Sequence, residues 1–318
     1  MNKYKICVVG SGNWGMNHIR TLFELDSLVG IVDSEENNFD KLKKKYPQVN
    51  IYKELDKAIN DNYDGYIVAT PPKTHFPIAK KIIESKSNIL IEKPITTSLE
   101  KAKELNELAK LNNVKLMVGH LLLFHPAILK IKEIIDNGKI GEIQYLYSNR
   151  LNLGTIRKDE NVLWSFAPHD IAIFQFIVGM LPVKVDSIGS DIIQEGIHDT
   201  TITYLEYPKK ISGHIFVNWM HPFKEHRFIV IGSKGMISFE DSHDHKPLIF
   251  YDKNIKWDSK RQPLVSSSIK KYIEYKNESP LRNELEYFLR SFNEKLDKSD
   301  GNSAIEVMKI LTKATDKL

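Results

Sequence analysis

Residues 5–15 read KICVVGSGNWG. An apolar, β-branched run flows into Gly10, Gly12 and Gly15 and then into a helical pattern from Trp14 to about Leu25. The first glycine permits a tight turn, the second lets backbone approach a pyrophosphate, and the third lets the helix pack closely on the strand. Asp33 stands 18 residues past Gly15, where the next apolar run, LVGIV, ends. A carboxylate there accepts hydrogen bonds from ribose hydroxyls and repels a 2′-phosphate. Ser34, Glu35 and Glu36 follow it, with no arginine to hold that phosphate. A glycine-rich turn without a ligand would explain the glycines but not the aspartate. NAD is therefore the expected cofactor, held by Gly10, Ser11, Gly12, Asn13, Trp14, Gly15 and Asp33.

Outward from this stretch, short apolar runs alternate with amphipathic helical segments: GYIVA, a helix from about Phe76, NILI, a helix from about Leu99, and KLMVG. Such runs are parallel strands covered on both faces, so a doubly wound α/β sheet is predicted for residues 1–118. After Gly119 the pattern changes to one helix following Pro126 and then longer alternating strands, among them EIQYLYSNRLN, DTTITYLEY, KISGHIFVNWM and HRFIVIGSKGMISFED. These predict an α+β domain over residues 119–318 with a large, mostly antiparallel open sheet. Helices through NELEYFLRSFNEKL and from Ser303 to Asp316 close it, with room to pack back on the first domain.

Composition narrows the function classes. With 42% hydrophobic and 27% charged residues the chain reads as soluble and globular. No apolar run approaches the roughly 18 residues of a membrane span, and ICVVG is too short for a secretory leader, so a cytoplasmic location is expected. The single cysteine, Cys7, excludes an internal disulfide and a cysteine-based metal site. The net charge of +4 comes from lysines spread along the chain, without a basic stripe for nucleic acid. A small, anionic substrate suits it better.

Chemistry enters with IEKPITT, residues 91–97. Ligands of open α/β sheets bind beyond the carboxyl ends of the strands, where Glu92, Lys93 and Pro94 close the fifth strand. The fourth ends in ATPPKTH, so Thr70, Pro71, Pro72 and His75 lie along the same edge. A lysine at a strand end is ordinarily a solvated charge. Taken together, GSGNWG, ATPPKTH, EKP, GSKGMISFED and PLRNELEYFL resemble, in order and across essentially the whole chain, the glucose–fructose oxidoreductase, inositol dehydrogenase and rhizopine-catabolism (Gfo/Idh/MocA) family. That resemblance implies a catalytic Lys93 beside the nicotinamide and the reacting hydroxyl, with Thr70, Pro71, Pro72, His75 and Glu92 near the cofactor.

The same resemblance implies an aspartate and, four residues later, a histidine at a helix start. In VLWSFAPHDIAIF, His169 takes the histidine position and Ser165 stands where the aspartate is usual. His169 is the expected general base, and both Asp170 and Ser165 are candidates to orient it. Without the resemblance, His169 reads equally well as a packing or capping histidine after Pro168. VGHLLLFHP presents His120 and His125 where many relatives carry an arginine. SNRLNLGTIRKDENVLW puts Arg150 and Asn152 on one strand face and Arg157 in the loop beyond, candidates to bind substrate, the arginines being suited to a diphosphate. This stretch resembles the nucleotide-sugar 3-dehydrogenases, which oxidise UDP-N-acetylglucosamine at C3 and feed an aminotransferase in amino-sugar and lipopolysaccharide synthesis. A free sugar or inositol as substrate, and a non-catalytic dinucleotide sensor, are the alternatives. A homodimer or homotetramer is expected through the open sheet, whose bare face should carry Phe216 and Trp219.

Overall fold

In the computed structural model, which describes residues 4–266 and 269–318, the opening run forms strand β1 (Ile6–Val9), buried along its whole length. It is followed by α1 (Asn13–Glu24), β2 (Leu28–Val32), α2 (Phe39–Lys45), β3 (Asn50–Tyr52), α3 (Leu55–Ile59), β4 (Gly65–Val68), α4 (Pro72–Glu84), β5 (Asn88–Glu92), α5 (Leu99–Leu111) and β6 (Leu116–Gly119). The six strands pair in parallel in the order β3-β2-β1-β4-β5-β6. Strand order reverses between β1 and β4, the switch point at which this class of sheet binds its ligands. Apolar β1, β4 and β5 lie at the centre because only a strand covered on both faces can afford no polar side.

The remaining elements are α6 (Pro126–Asp136), β7 (Ile143–Leu151), α7 (Val162–Val178), β8 (Lys184–Ser190), β9 (Thr200–Glu206), β10 (Ser212–Asn218), β11 (Glu225–Gly232), β12 (Met236–Glu240), β13 (Leu248–Tyr251), β14 (Ile255–Trp257), β15 (Pro263–Val265), β16 (Lys270–Tyr272), α8 (Pro280–Arg290) and α9 (Gly301–Thr315). Eight strands form one sheet in the order β16-β13-β12-β11-β7-β10-β9-β8. Its pairs are antiparallel except β7 with β10, so the fold class is the one the sequence predicts. β14 and β15 form a separate ribbon.

The chain divides into two compact units. One runs to Phe124 and includes Ser279–Met308; the other comprises His125–Glu278 and Lys309–Leu318. In the first, α8 packs against α1 and against the short helical turn Leu121–Phe124. In the second, α7 packs on β7, β9 and β10.

Three local expectations need correction. Trp219 is fully buried, not on the bare sheet face. It follows β10 with the parity of Ile215 and Val217, whose side chains are buried, and its indole N–H donates to the buried carboxylate of Asp199. Phe216 has the opposite parity and is half-buried. His169 is not at a helix start: α7 begins at Val162, where the Asn161 side chain accepts the Trp164 N–H at 3.1 Å, so Pro168 and His169 lie inside the helix. The helix expected from Phe76 starts four residues sooner, because Pro72 takes the first helical position, where a missing N–H costs nothing.

Candidate active site

The glycine loop has the geometry its spacing demands. Gly10 has φ +99°, and a Cβ there would lie 2.8 Å from the Ala69 carbonyl oxygen, so no other residue fits the turn without strain. A Cβ on Gly15 would collide with the Gly10 carbonyl at 2.0 Å, which seals α1 against β1. Among the described residues a Cβ on Gly12 would meet nothing within 4 Å, so this glycine leaves room above the loop. Asp33 follows β2 directly; its Oδ2 accepts the Ser11 N–H at 2.7 Å and the Ser11 hydroxyl, and its Oδ1 accepts the Glu35 N–H at 2.8 Å. The carboxylate is thus fixed beside the loop, with lone pairs to spare for a ribose.

At the ends of β4 and β5 the predicted residues take different roles. His75 is fully buried; its Nδ1 lies 2.9 Å from the Pro94 carbonyl and its Nε2 2.8 Å from the Thr70 carbonyl. It braces the turn after β4 against the turn after β5, with Thr70 also bound through its hydroxyl to Thr74 at 2.7 Å. Pro71 caps α4. Lys93 is half-buried at the end of β5, and its bond to Pro94 is cis. Glu92 turns inward: its carboxylate accepts hydrogen bonds from the indole of Trp14, from His18 Nε2 at 2.7 Å and from the Lys93 N–H at 3.2 Å. Burial alone would raise this carboxyl, but the His18 and Trp14 hydrogen bonds and the charge of Lys93 hold it below the usual carboxylate range.

His120 follows β6 and is buried, and among the described residues neither ring nitrogen has a hydrogen-bond partner. Burial pushes its pKa down to about 4, opposed by the charge of Glu92, so the ring is neutral near pH 7.

In the second unit, α7 carries Ser165, His169 and Asp170. Ser165 and His169 are one turn apart and share a helix face. Asp170 forms a two-point ion pair with Arg150 of β7, Nε–Oδ2 2.6 Å and Nη2–Oδ1 3.1 Å. Both candidates are thereby engaged with each other: Arg150 reaches the α7-covered face of the sheet, and its Nη1 lies 3.4 Å from His226 Nδ1. Asn152 is one residue past β7, held by its N–H to the Asn218 carbonyl at 3.0 Å. Arg157, half-exposed, is 3.6 Å from Glu160. His125 is buried as the cap of α6, its Nδ1 accepting the Ala127 N–H at 3.1 Å and its Nε2 3.7 Å from Asp241.

A model of an oxidoreductase family with an NAD-binding Rossmann fold matches residues 4–120, and the model of the GFO/IDH/MocA C-terminal domain matches residues 128–238. The chain belongs to the Gfo/Idh/MocA family. It is an NAD-dependent oxidoreductase. It is 27% identical to scyllo-inositol 2-dehydrogenase (NAD(+)) of Bacillus subtilis over 255 residues, 74% of this chain and 73% of that protein. It is also 27% identical to UDP-N-acetylglucosamine 3-dehydrogenase of Acidithiobacillus ferrooxidans over 183 residues, 57% of this chain and 56% of that protein. A solved structure of the Acidithiobacillus dehydrogenase superposes with a TM-score of 0.88 over 100% of this chain and 98% of its own, at 19% identity, a likeness of fold.

The residues present in this Gfo/Idh/MocA chain fit NAD. Gly12 leaves open the space a pyrophosphate would take, and Asp33 places a carboxylate where a ribose would lie and a 2′-phosphate would be repelled. Sequence reasoning missed His18 and Glu284. His18 lies four residues past Trp14, which puts both on one helix face. Glu284 interrupts the buried stripe of Leu281, Leu285 and Phe288 on α8, a carboxyl at an apolar position, and it is completely buried.

Proposed function

We propose that the enzyme oxidises a secondary hydroxyl of a sugar to a ketone, and that its substrate is a UDP-linked N-acetylhexosamine oxidised at C3. The observation that carries this reading is the 27% identity to the Acidithiobacillus UDP-N-acetylglucosamine 3-dehydrogenase over 183 residues, beside the resemblance of the stretch from Arg150 to Asp170 to that class of enzyme. NAD, when bound, supplies the hydride acceptor. Lys93 hydrogen-bonds the hydroxyl oxygen and polarises it, and His169 accepts the hydroxyl proton as the carbon gives up its hydride. Ser165, one turn from His169, orients the imidazole, since Asp170 is committed to Arg150. Arg157, whose pairing with Glu160 is loose and exposed, is the better arginine for a diphosphate.

A free inositol is the second reading, favoured by the longer match to the Bacillus inositol dehydrogenase. It needs no diphosphate site. Absorbance of reduced nicotinamide with a panel of nucleotide sugars, free sugars and inositols separates the two. Turnover confined to UDP-linked N-acetylhexosamines is expected; turnover of inositols alone would replace the first reading with the second.

Assembly as a homodimer or homotetramer through the sheet face opposite α7 belongs to the same proposal. Ile188, Ile202 and Phe216 stand opposite one another across β8, β9 and β10 on that face, with Ile188 70% and Ile202 41% exposed. An apolar row of that kind is normally covered by a second subunit. Light scattering at micromolar concentration should report at least a dimer.

A further inference from the structure

The glutamate of the EKP turn is more than a neighbour of the lysine. Glu92 closes β5 with its side chain folded inward, and three elements converge on that one carboxylate. From α1 come the Trp14 indole N–H and His18 Nε2, the latter at 2.7 Å. From the turn itself comes the Lys93 N–H, at 3.2 Å. On the third side is β6, so close that a Cβ on Gly119 would stand 3.0 Å from the carboxylate. An ionised carboxylate only accepts, so Nε2 of His18 must carry its proton. His18 is fully buried, and its Nε2 is held against the Glu92 carboxylate at 2.7 Å. Charge-assisted hydrogen bonds in such a site are short and directional, and they hold geometry more firmly than neutral ones.

Trp14 and His18 belong to the first two turns of α1, directly after the glycine loop. Any shift of that turn moves the indole N–H, hence the Glu92 carboxylate, hence the backbone nitrogen of Lys93. We propose that Glu92 is a positioning residue that couples the glycine loop to Lys93 through Trp14 and His18. The proposal rests on the reading of Lys93 as the group that meets the reacting hydroxyl. It explains why an indole stands among the glycines with a histidine one turn later: each supplies an N–H to the same carboxylate oxygen.

The test uses ADP-ribose, which fills the dinucleotide loop but has no nicotinamide ring to shield Lys93. The rate at which limiting acetic anhydride acetylates Lys93 is read by peptide mass spectrometry in the protein alone and with saturating ADP-ribose. In the unaltered protein ADP-ribose should change that rate severalfold. In Trp14→Phe, which keeps an aromatic side chain but loses the indole N–H, and in Glu92→Gln, the change should vanish although calorimetry still shows ADP-ribose binding. Glu92→Gln should also lower kcat about tenfold while NAD affinity stays within about threefold. Trp14→Phe keeps the test open should Glu92→Gln fold poorly, as a melting curve would reveal. An unchanged response to ADP-ribose in both variants, or no response in the unaltered protein, overturns the coupling. So does loss of NAD affinity in Glu92→Gln with kcat preserved, which would make Glu92 a cofactor ligand. Normal turnover in Lys93→Ala would instead sink the catalytic reading of Lys93, a separate result that leaves the labelling data standing.

Discussion

The guanidinium of Arg150 and the carboxylate of Asp170 meet through two parallel contacts, 2.6 and 3.1 Å long, with side chains only 12% and 3% exposed. The pair joins β7 to α7 one residue beyond His169. It therefore sets the rotation of the helix that carries the proposed base. Breaking a buried pair by removing one partner leaves the other charge uncompensated, at a cost of about 3–5 kcal/mol.

Arg150→Ala and Asp170→Ala should each lower the melting temperature markedly, and the double variant should lose less than the two losses added. Arg150→Lys keeps the charge without the two-pronged geometry and should fall between. Thermal melts of the four variants beside the parent check this. An Arg150→Ala protein that melts like the parent and only raises KM for a nucleotide sugar would assign the guanidinium to substrate.

Glu284 gives a prediction about pH. Burial and the nearby Glu92 charge raise its carboxyl well above the usual range, against the pull of Lys298. A group whose folded pKa is raised stabilises the fold below its unfolded pKa, and that stability is lost as pH rises through the folded value. The parent should therefore lose up to about 1.4 kcal/mol per pH unit from this group above about pH 4.5. Glu284→Gln has no proton to lose, so its advantage over the parent should grow from about pH 5 to about pH 7.5. That window lies below the region where Lys298, lowered to about 8 by burial, sheds its own proton. Melting temperatures that run parallel across the window would contradict this.

Cofactor choice follows from Asp33. NAD should bind more tightly than NADP, and Asp33→Ala should narrow the gap, because the carboxylate fixed by Ser11 is what repels a 2′-phosphate. Ser11→Ala removes one of its hydrogen bonds and should weaken NAD binding modestly without favouring NADP. Calorimetry with both dinucleotides decides it.

What was legible in the sequence was what the backbone dictates locally. Gly10, Gly15 and Asp33 could be placed because turn, close approach and strand end each demand one residue type at one spacing. Trp219 was misplaced because KISGHIFVNWM carries apolar residues on both parities near its end, and only the carboxylate of Asp199 settles which face the indole takes. The inward turn of Glu92 was hidden for a different reason. Its partner His18 is 74 residues away in sequence, so no local pattern announces the contact. Arg150 and Asp170 were both singled out, yet their partnership across 20 residues was not, because Arg150 reads alone as a group for a diphosphate and Asp170 as one that orients His169.

The chemistry itself is tested at Lys93 and His169. If each acts on the reacting hydroxyl, Lys93→Ala and His169→Ala should each lower turnover about a hundredfold or more, the scale for losing a positioned acid–base group. NAD affinity should change little, because the glycine loop and Asp33 hold the dinucleotide through other atoms. Combined, the two substitutions should cost less than the product of their separate effects, since residues that act as one unit are not additive. His169→Gln, which keeps hydrogen bonding but cannot take a proton near neutrality, should be as slow as His169→Ala and should lose the acidic limb of the pH–rate profile. If His169→Gln turns over normally, the imidazole serves only to pack α7, and another group takes the hydroxyl proton.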